Sequence, residues 1–136
     1  MKKAPTDGHL KHRAIISSTN YKQIDDENPL SHTDARALSL GMATWNRNEI
    51  SAKIWRHNGS QWKGSSEEMP LHRALDCTIM IIATMIGARD GNLENHFLDL
   101  AVLDISQMQT LNKFLLDNKD KLDERLAEIK LLLSKY

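Results

Sequence analysis

The sequence predicts an α+β protein. A small antiparallel sheet, made of a hairpin over residues 38–57 and one or two further strands, is expected to pack on a central buried helix, followed by two C-terminal helices. Residues 38–57 alternate with strand periodicity, and a long apolar segment after them has helix-start and helix-stop signals. The C-terminal residues then repeat apolar positions at helical spacing. Strands followed by helices, without repeats, favour segregated layers.

Length and composition predict one domain over residues 1–136, with residues 1–10 as a loose N-terminal arm. The longest apolar run, residues 77–88, is shorter than the roughly 20 residues of a membrane-spanning helix. The N-terminus lacks the apolar block of a signal peptide. We therefore expect a cytoplasmic protein without a membrane partner. The single cysteine, Cys77, excludes an internal disulfide framework, and no metal or cofactor motif is present, so neither is expected.

The net charge is balanced, with 18 basic and 18 acidic residues. A neutral chain has no general attraction for nucleic acid, so a nucleic-acid partner is not expected. Local charge is different, because residues 50–76 hold four Lys or Arg residues, two of the three tryptophans, two histidines and an acidic pair. This concentration of aromatic and ionisable side chains makes the segment the candidate site.

The predicted strands lie in the N-terminal half. Residues 13–17 form a short candidate strand, and residues 20–36 predict a long surface loop with one turn of helix. The hairpin face expected to meet the core consists of Leu38, Leu40, Met42, Ile50, Ala52 and Ile54. The opposite face, expected to be an open shelf, consists of Ser39, Gly41, Ala43, Ser51, Lys53, Trp55 and His57. Asn58-Gly59 predicts a reverse turn into a short third strand over residues 61–63.

The central helix is predicted to begin near Ser65 or Ser66, whose hydroxyls can accept the free N–H groups of a first helical turn. Pro70 is tolerated only close to such a start. The helix is expected to run to about Arg89 and to stop at Gly91. Its middle is apolar on every side, which predicts that it is buried.

After the central helix, residues 97–104 alternate and predict another strand. Asp104 or Ser106 can cap the next helix, over residues 106–118. The last helix has a narrow apolar stripe, typical of a helix-pairing seam, which predicts a homo-oligomer. The stripe consists of Leu122, Leu126, Ile129 and Leu133.

Two arrangements indicate a ligand site. On the shelf face, small residues beside Trp55 and Lys53 suit a planar anionic ligand, unless the C-terminal helices or a second subunit cover that face. At the helix start, free N–H groups suit an anion, unless Glu67 and Glu68 act as capping carboxylates. Arg73 then binds a ligand phosphate or pairs with an acidic neighbour. The predicted ligand-binding residues are Trp45, Lys53, Trp55, His57, Trp62, Ser66, His72 and Arg73.

The segments "LSLGMATWN", "ISAKIWRHNGSQW" and "SSEEMPLHRALD" resemble a family of small bacterial and phage proteins that is known only as a domain of unknown function. The resemblance covers roughly residues 12 to 82. It supports the position of the motif in the chain. Because the family has no assigned activity, the resemblance implies no chemistry.

The sequence thus predicts a small-molecule binding protein whose partner is a small anionic aromatic ligand. A nucleotide or nucleotide-derived signal is expected, and a phage counter-defence sponge is one form of such a protein. The alternative is a hydrolase that uses His72, Asp76 and Glu68, since His72 and Asp76 lie four residues apart on one helix face. The first hypothesis assigns no catalytic residues.

Overall fold

The computed structural model describes residues 3–6, 10–27, 33–93 and 97–136. The chain divides into two compact units, Met1–Asp76 and Cys77–Tyr136. The first unit contains an antiparallel sheet and the second is helical, so the predicted α+β class is confirmed. That both units belong to the single domain expected from the chain length stays a prediction.

The first unit is built on a four-stranded antiparallel sheet in the order β1-β2-β3-β4. The strands are β1 (Arg13–Ser17), β2 (Ala35–Met42), β3 (Ile50–Arg56) and β4 (Glu68–Pro70), and a short helix α1 (Tyr21–Glu27) precedes β2. The predicted hairpin is confirmed as the β2–β3 pair, in which Leu40 lies opposite Ala52. Residues 28–32 of the predicted loop lie outside the described residues. The expected third strand over 61–63 is only an isolated bridge between Trp62 and His57.

The two faces of the hairpin are assigned correctly, but the prediction of which face is buried is wrong. Trp55 is 1% exposed and Lys53 is 5% exposed, whereas Leu38 and Leu40 of the apolar face are 36% and 38% exposed. The reason is that the N-terminal segment lies on the polar face: Ala4 is buried with Trp55 in one cluster, and Leu10 packs against it. Trp55 is therefore a core residue and the predicted open shelf does not exist.

The segment predicted as the first turn of the central helix is instead strand β4. Its backbone pairs with β3, with Ser51 opposite Pro70 and Lys53 opposite Glu68. Pro70 disfavours helical geometry at the residue before it, which favours an extended Met69. Helix α2 (Leu71–Asp90) consequently begins after the proline. The predicted capping by Ser65 or Ser66 is wrong.

The second unit contains most of α2, a 3-10 turn (Ile105–Gln107), α3 (Met108–Asp117) and α4 (Lys119–Leu133). The two C-terminal helices are confirmed. The strand predicted over residues 97–104 is wrong, because this segment is neither strand nor helix. Asp104, predicted to cap the next helix, instead caps the 3-10 turn that precedes α3, by accepting the backbone N–H of Ser106 at 3.0 Å, and α3 has no side-chain cap at Gln107.

Helix α2 is present but not buried as predicted: within it, Gly87 is the buried residue. By length and composition alone it could cross a membrane, with a mean hydropathy of 1.4 over its most apolar window. Side chains such as Leu75, 63% exposed, leave its surface apolar. Burial was predicted because the middle of the helix is apolar on every side. An apolar sequence indicates that a helix is stabilised by packing, but it does not identify the residues that pack against it.

Gly41 tests the sheet, because a Cβ there would lie 2.1 Å from the Arg13 carbonyl oxygen of β1. We expect Gly41→Ala to lower the free energy of unfolding by about 3 kcal/mol, since β1 must move away. Gly64→Ala is the control, because nothing lies within 4 Å of the added atom. Urea unfolding of both variants measures the difference, and equal midpoints would contradict the β1–β2 pairing.

Candidate functional site

The buried face of the sheet carries a network of polar side chains centred on Glu68. One oxygen of its carboxylate, Oε1, accepts the Ser51 hydroxyl at 2.8 Å and the backbone N–H of Thr44 at 3.1 Å. The same oxygen lies 2.8 Å from Nδ1 of His12, whose side chain is 1% exposed. Three separate segments of the chain therefore converge on one carboxylate oxygen of β4.

The other side of the His12 ring continues the network. Its Nε2 lies 3.1 Å from the Ser39 hydroxyl, which in turn accepts the indole N–H of Trp55 at 2.8 Å. An indole only donates, so the Ser39 proton is free to point at His12. Because a carboxylate only accepts, Nδ1 carries the proton that is donated to Glu68, and in the neutral imidazole Nε2 then accepts the Ser39 hydroxyl. The hydrogen bonds then run in one direction, from Trp55 through Ser39 and His12 to Glu68.

The protonation of Glu68 follows from its surroundings. Burial raises the pKa of the Glu68 carboxyl, but hydrogen bonds from Thr44, Ser51 and His12 outweigh burial and leave the pKa below its ordinary value. Glu68 is thus a carboxylate at neutral pH. Its three donors supply the compensation that a buried charge needs.

Ser39, His12 and Glu68 have the order of a serine hydrolase triad, with a hydroxyl, an imidazole and a carboxylate joined in series. A nucleophile also has to reach its substrate. Ser39 is only 5% exposed in the middle of β2, and its oxygen already accepts the Trp55 indole. We therefore assign the network a structural role, in which it ties β2, β3 and β4 to the residue preceding β1.

A cavity of about 260 Å³ lies beside this network. His12 and Trp55 contribute to its wall from the network, and Lys53 of β3 contributes a buried cation. Lys11 adds a second, exposed cation. The full lining is Leu10, Lys11, His12, Thr44, Lys53, Trp55 and Gly64.

Lys53 is the unusual group in this cavity. It is 5% exposed, its Nζ lies 5.0 Å from the centre of the Trp55 ring, and it donates one long hydrogen bond of 3.3 Å to the Ser66 carbonyl. Within the described part of the chain, no carboxylate oxygen lies within 4.0 Å of Nζ. Burial lowers the pKa of the Lys53 ammonium, and the nearby charges of Glu68 and Glu67 only partly oppose this.

Nearby cations are paired, in contrast to Lys53. The Arg56 guanidinium donates to Glu67 at 2.8 Å and to Asp34 at 2.7 Å, and Lys63 pairs with Asp34 at 2.5 Å. These hydrogen bonds, first from Lys63 and then from Arg56, lower the pKa of Asp34 to about 2. Glu67 is therefore an ion-pair partner at the end of the sheet rather than a helix cap.

The structure brings some of the predicted site residues together. Lys53 and Trp55 share the cavity wall, and the carbonyl of Ser66 binds Lys53, while the Ser66 hydroxyl is buried without a hydrogen-bond partner among the described residues. Trp62 lies edge-on to Trp55 at 6.2 Å and to His57 at 5.0 Å.

Trp45, His72 and Arg73 were also predicted to bind the ligand, but they do not line the cavity. Trp45 is 47% exposed and donates to Glu49 at 2.6 Å. His72 and Arg73 are exposed in the first turn of α2. Because that helix begins at Leu71, the expected anion site of Ser66 and the helix start does not form. Arg73 has no ion pair with any carboxylate in the described ranges.

Sequence reasoning missed His12, Ser39 and Ser51. His12 was assigned no role because it follows the expected loose arm, and its partner Glu68 is 56 residues away. One signal was available: Ser39 and Ser51 occupy the same predicted hairpin face as Trp55, so a buried indole there needs a hydroxyl acceptor.

Comparison with known proteins identifies a family. The model of a family of unknown function, DUF6530, matches residues 1–107, which include the sheet, α2 and the 3-10 turn. No curated protein and no solved structure matches the chain. The match covers more than half of the chain and supplies no activity.

The lowered pKa of Glu68 predicts a pH dependence of stability. A carboxyl whose pKa is lower in the folded than in the unfolded chain stabilises the fold at neutral pH, and this contribution is lost as the pH falls below the ordinary value of 4.5. Glu68→Gln should therefore cost about 1–3 kcal/mol at neutral pH. It should also make the stability fall less between about pH 6 and about pH 3.

Urea unfolding at a series of pH values measures this effect. Glu49→Gln is the matched control, because Glu49 is an exposed carboxylate on the β2–β3 turn. If the wild type and Glu68→Gln lose stability in parallel as the pH falls, the carboxylate network does not contribute as argued.

Proposed function

We propose that this chain, which belongs to DUF6530, a family of unknown function, binds a small anionic ligand in the cavity beside Lys53. The ligand class favoured by the sequence, a nucleotide or nucleotide-derived signal, is kept in this proposal. Binding is expected to sequester the ligand rather than convert it, as in a phage counter-defence sponge, and to take place in the cytoplasm.

One observation carries the proposal: a buried ammonium without a carboxylate partner in the described residues. A buried charge is costly unless it is paired, and this one lies in a cavity wall rather than against Glu67 or Glu68. A ligand phosphate or carboxylate at Lys53 would supply the missing charge. Lys11, exposed at the same wall, adds a second positive charge.

The cavity supports the anionic part of the ligand more directly than the aromatic part. Lys53 already lies over the Trp55 ring, so the ring face expected to stack on a base is occupied. The volume of about 260 Å³ is just below the usual range of about 300–1,000 Å³ for ligand pockets. We therefore expect the cavity to take a small ligand, or the anionic end of a larger one.

The alternative hydrolase is not favoured by any contact among the described residues. Glu68 is engaged by His12, Ser51 and Thr44, and no contact joins it to His72 or Asp76. The two hypotheses differ in what happens to the ligand. Purified protein incubated with nucleotides and then heat-denatured should release them unchanged, and an altered product would favour the hydrolase.

Lys53→Met tests the binding site. This change keeps the length of the side chain and removes its charge, so we expect equal or higher stability without ligand and no ligand-induced rise in melting temperature. Melting curves with inorganic phosphate and with a panel of nucleotides measure both effects. Lys63→Met is the control, since Lys63 is exposed and paired with Asp34.

For wild type and Lys63→Met, saturating ligand at about 100 times Kd should stabilise the protein by about 2.7 kcal/mol. Mass spectrometry of the natively purified protein can identify a ligand that is retained. If Lys53→Met responds to every stabilising anion as the wild type does, Lys53 is not the anion site.

We also propose that the chain forms a homo-oligomer through its helical unit. In that unit, Gly87 is the buried residue among those described, while Leu116, Leu132 and Leu133 are 72%, 58% and 67% exposed. So much exposed apolar surface is unusual for a monomer. Two copies of the same apolar surface are self-complementary, which favours a second copy as the partner.

Leu133→Asp tests this assembly without disturbing a buried side chain. Burial of one leucine contributes about 1.5–3 kcal/mol, so the variant should weaken association at least about tenfold while the monomer stays folded. Sedimentation over a range of concentrations measures the change, with the exposed Ala127→Asp on α4 as a control. A wild-type protein that is monomeric at all concentrations would contradict the proposal.

A further inference from the structure

We propose that Lys53 is a nucleophile that forms an imine with a ligand carrying an aldehyde or ketone in addition to its anionic group. This inference rests on the proposed ligand cavity and narrows its ligand to anionic carbonyl compounds, such as oxo acids or phosphorylated aldehydes. The proposed function depends on the positive charge of Lys53, whereas this inference depends on the nucleophilicity of its neutral amine.

The first argument is the hydrogen bonding of Nζ. An ammonium group has three donors, and among the described residues Lys53 uses one of them, in the bond to the Ser66 carbonyl. In the neutral amine, one N–H can still donate to that carbonyl, and the nitrogen also has a lone pair. Hydrogen bonding to the described residues therefore satisfies a neutral amine better than it satisfies an ammonium.

The second argument is electrostatic. Burial lowers the pKa of Lys53, and Glu68 and Glu67 oppose burial without cancelling it. Each unit by which an amine pKa falls raises its neutral fraction at pH 7 about tenfold. Buried lysines with lowered pKa values are the ones that proteins use to form Schiff bases.

The third argument is access. Lys53 is 5% exposed, but it forms part of the wall of the cavity together with Thr44 and Lys11. A carbonyl compound that enters the cavity thus meets the amine away from bulk water. Once Lys53 is bonded to the ligand, Lys11 is the remaining lysine of the lining that can pair with the anionic group of the ligand.

The reaction balances without an oxidant or reductant. The lone pair of Nζ forms a bond to the carbonyl carbon, the carbonyl π electrons move to oxygen, and a proton passes from nitrogen to that oxygen to give a carbinolamine. The nitrogen lone pair then forms the second C–N bond as the C–O bond breaks, and the departing hydroxide takes the second proton from nitrogen. The products are the imine and one molecule of water.

Pyridoxal phosphate is a suitable probe, because it combines an aldehyde, a phosphate and an aromatic ring. The full-length protein is incubated with limiting probe and sodium cyanoborohydride, which reduces an imine to a stable secondary amine. Peptide mapping by mass spectrometry then compares modification of Lys53 with that of exposed, paired Lys63. We expect Lys53 to react at least severalfold faster, because burial lowers the pKa of its amine while Lys63 is an exposed ammonium paired with Asp34.

Two controls separate reactivity from folding. In urea, where the cavity is lost, Lys53 and Lys63 should react at similar rates. Lys53→Arg, with its fold checked by circular dichroism, should lose the fast-reacting site and leave modification of the other lysines unchanged. Modification of Lys53 no faster than of Lys63 in the folded protein would overturn the imine proposal.

A parallel melting experiment with inorganic phosphate distinguishes this inference from the proposed binding function. Stabilisation by phosphate without selective trapping leaves anion binding in place and overturns the imine. Selective trapping without stabilisation by phosphate or nucleotides supports the imine and counts against anion binding as proposed. If neither effect is seen, both proposals are overturned.

Discussion

The buried carboxylate of Glu68 is the constraint on which the sheet unit depends. Its side chain is 10% exposed, and a carboxylate in that position requires donors. The donors are His12, which precedes β1, Thr44, which follows β2, and Ser51 of β3. Because these segments are far apart in sequence, one short strand, β4, fixes the ends of the other three strands.

This constraint also explains why the polar face of the sheet is the buried one. The donors that serve Glu68 must be inside, and with them come Ser39 and Trp55, which belong to the same hydrogen-bonded chain. Lys53 lies between Ser51 and Trp55 on the same face of β3 and is buried as a consequence of strand alternation. The buried amine is thus a result of the sheet register.

Much of the secondary structure could be predicted from the sequence, because it depends on local patterns. The alternation in residues 38–57 predicts the hairpin and its two faces, a long apolar segment that stops at Gly91 predicts α2, and helical spacing predicts α4. Alternation cannot say which face is covered, since that depends on Ala4 and Leu10, which are distant in sequence. The same holds for residues 97–104, which alternate like a strand but have no strand partner within the described residues.

The candidate site was predicted only in part, because it too depends on contacts between residues that are distant in sequence. Lys53, Trp55 and Ser66 were identified from residue type and position, and all three lie at or next to the cavity. His12 could not be assigned, because its role depends on a hydrogen bond across 56 positions of sequence. His72 and Arg73 do not join the site because Pro70, compatible in sequence with a helix start, instead ends strand β4, and the pairing of β4 with β3 moves the start of α2 to Leu71.

The hydrogen-bond network and the cavity both depend on the carboxylate of Glu68. Glu68 is the nearest carboxylate on the strand paired with Lys53, since the two residues lie opposite each other in the β3–β4 register. Its Oε1 is occupied by Ser51, Thr44 and His12, and neither of its oxygens lies within ion-pairing distance of Nζ. The interaction that stabilises the sheet therefore leaves Lys53 without a close counter-charge. A lysine in that condition can gain an anion from a ligand or give up its proton, and both behaviours proposed for this cavity follow from that choice.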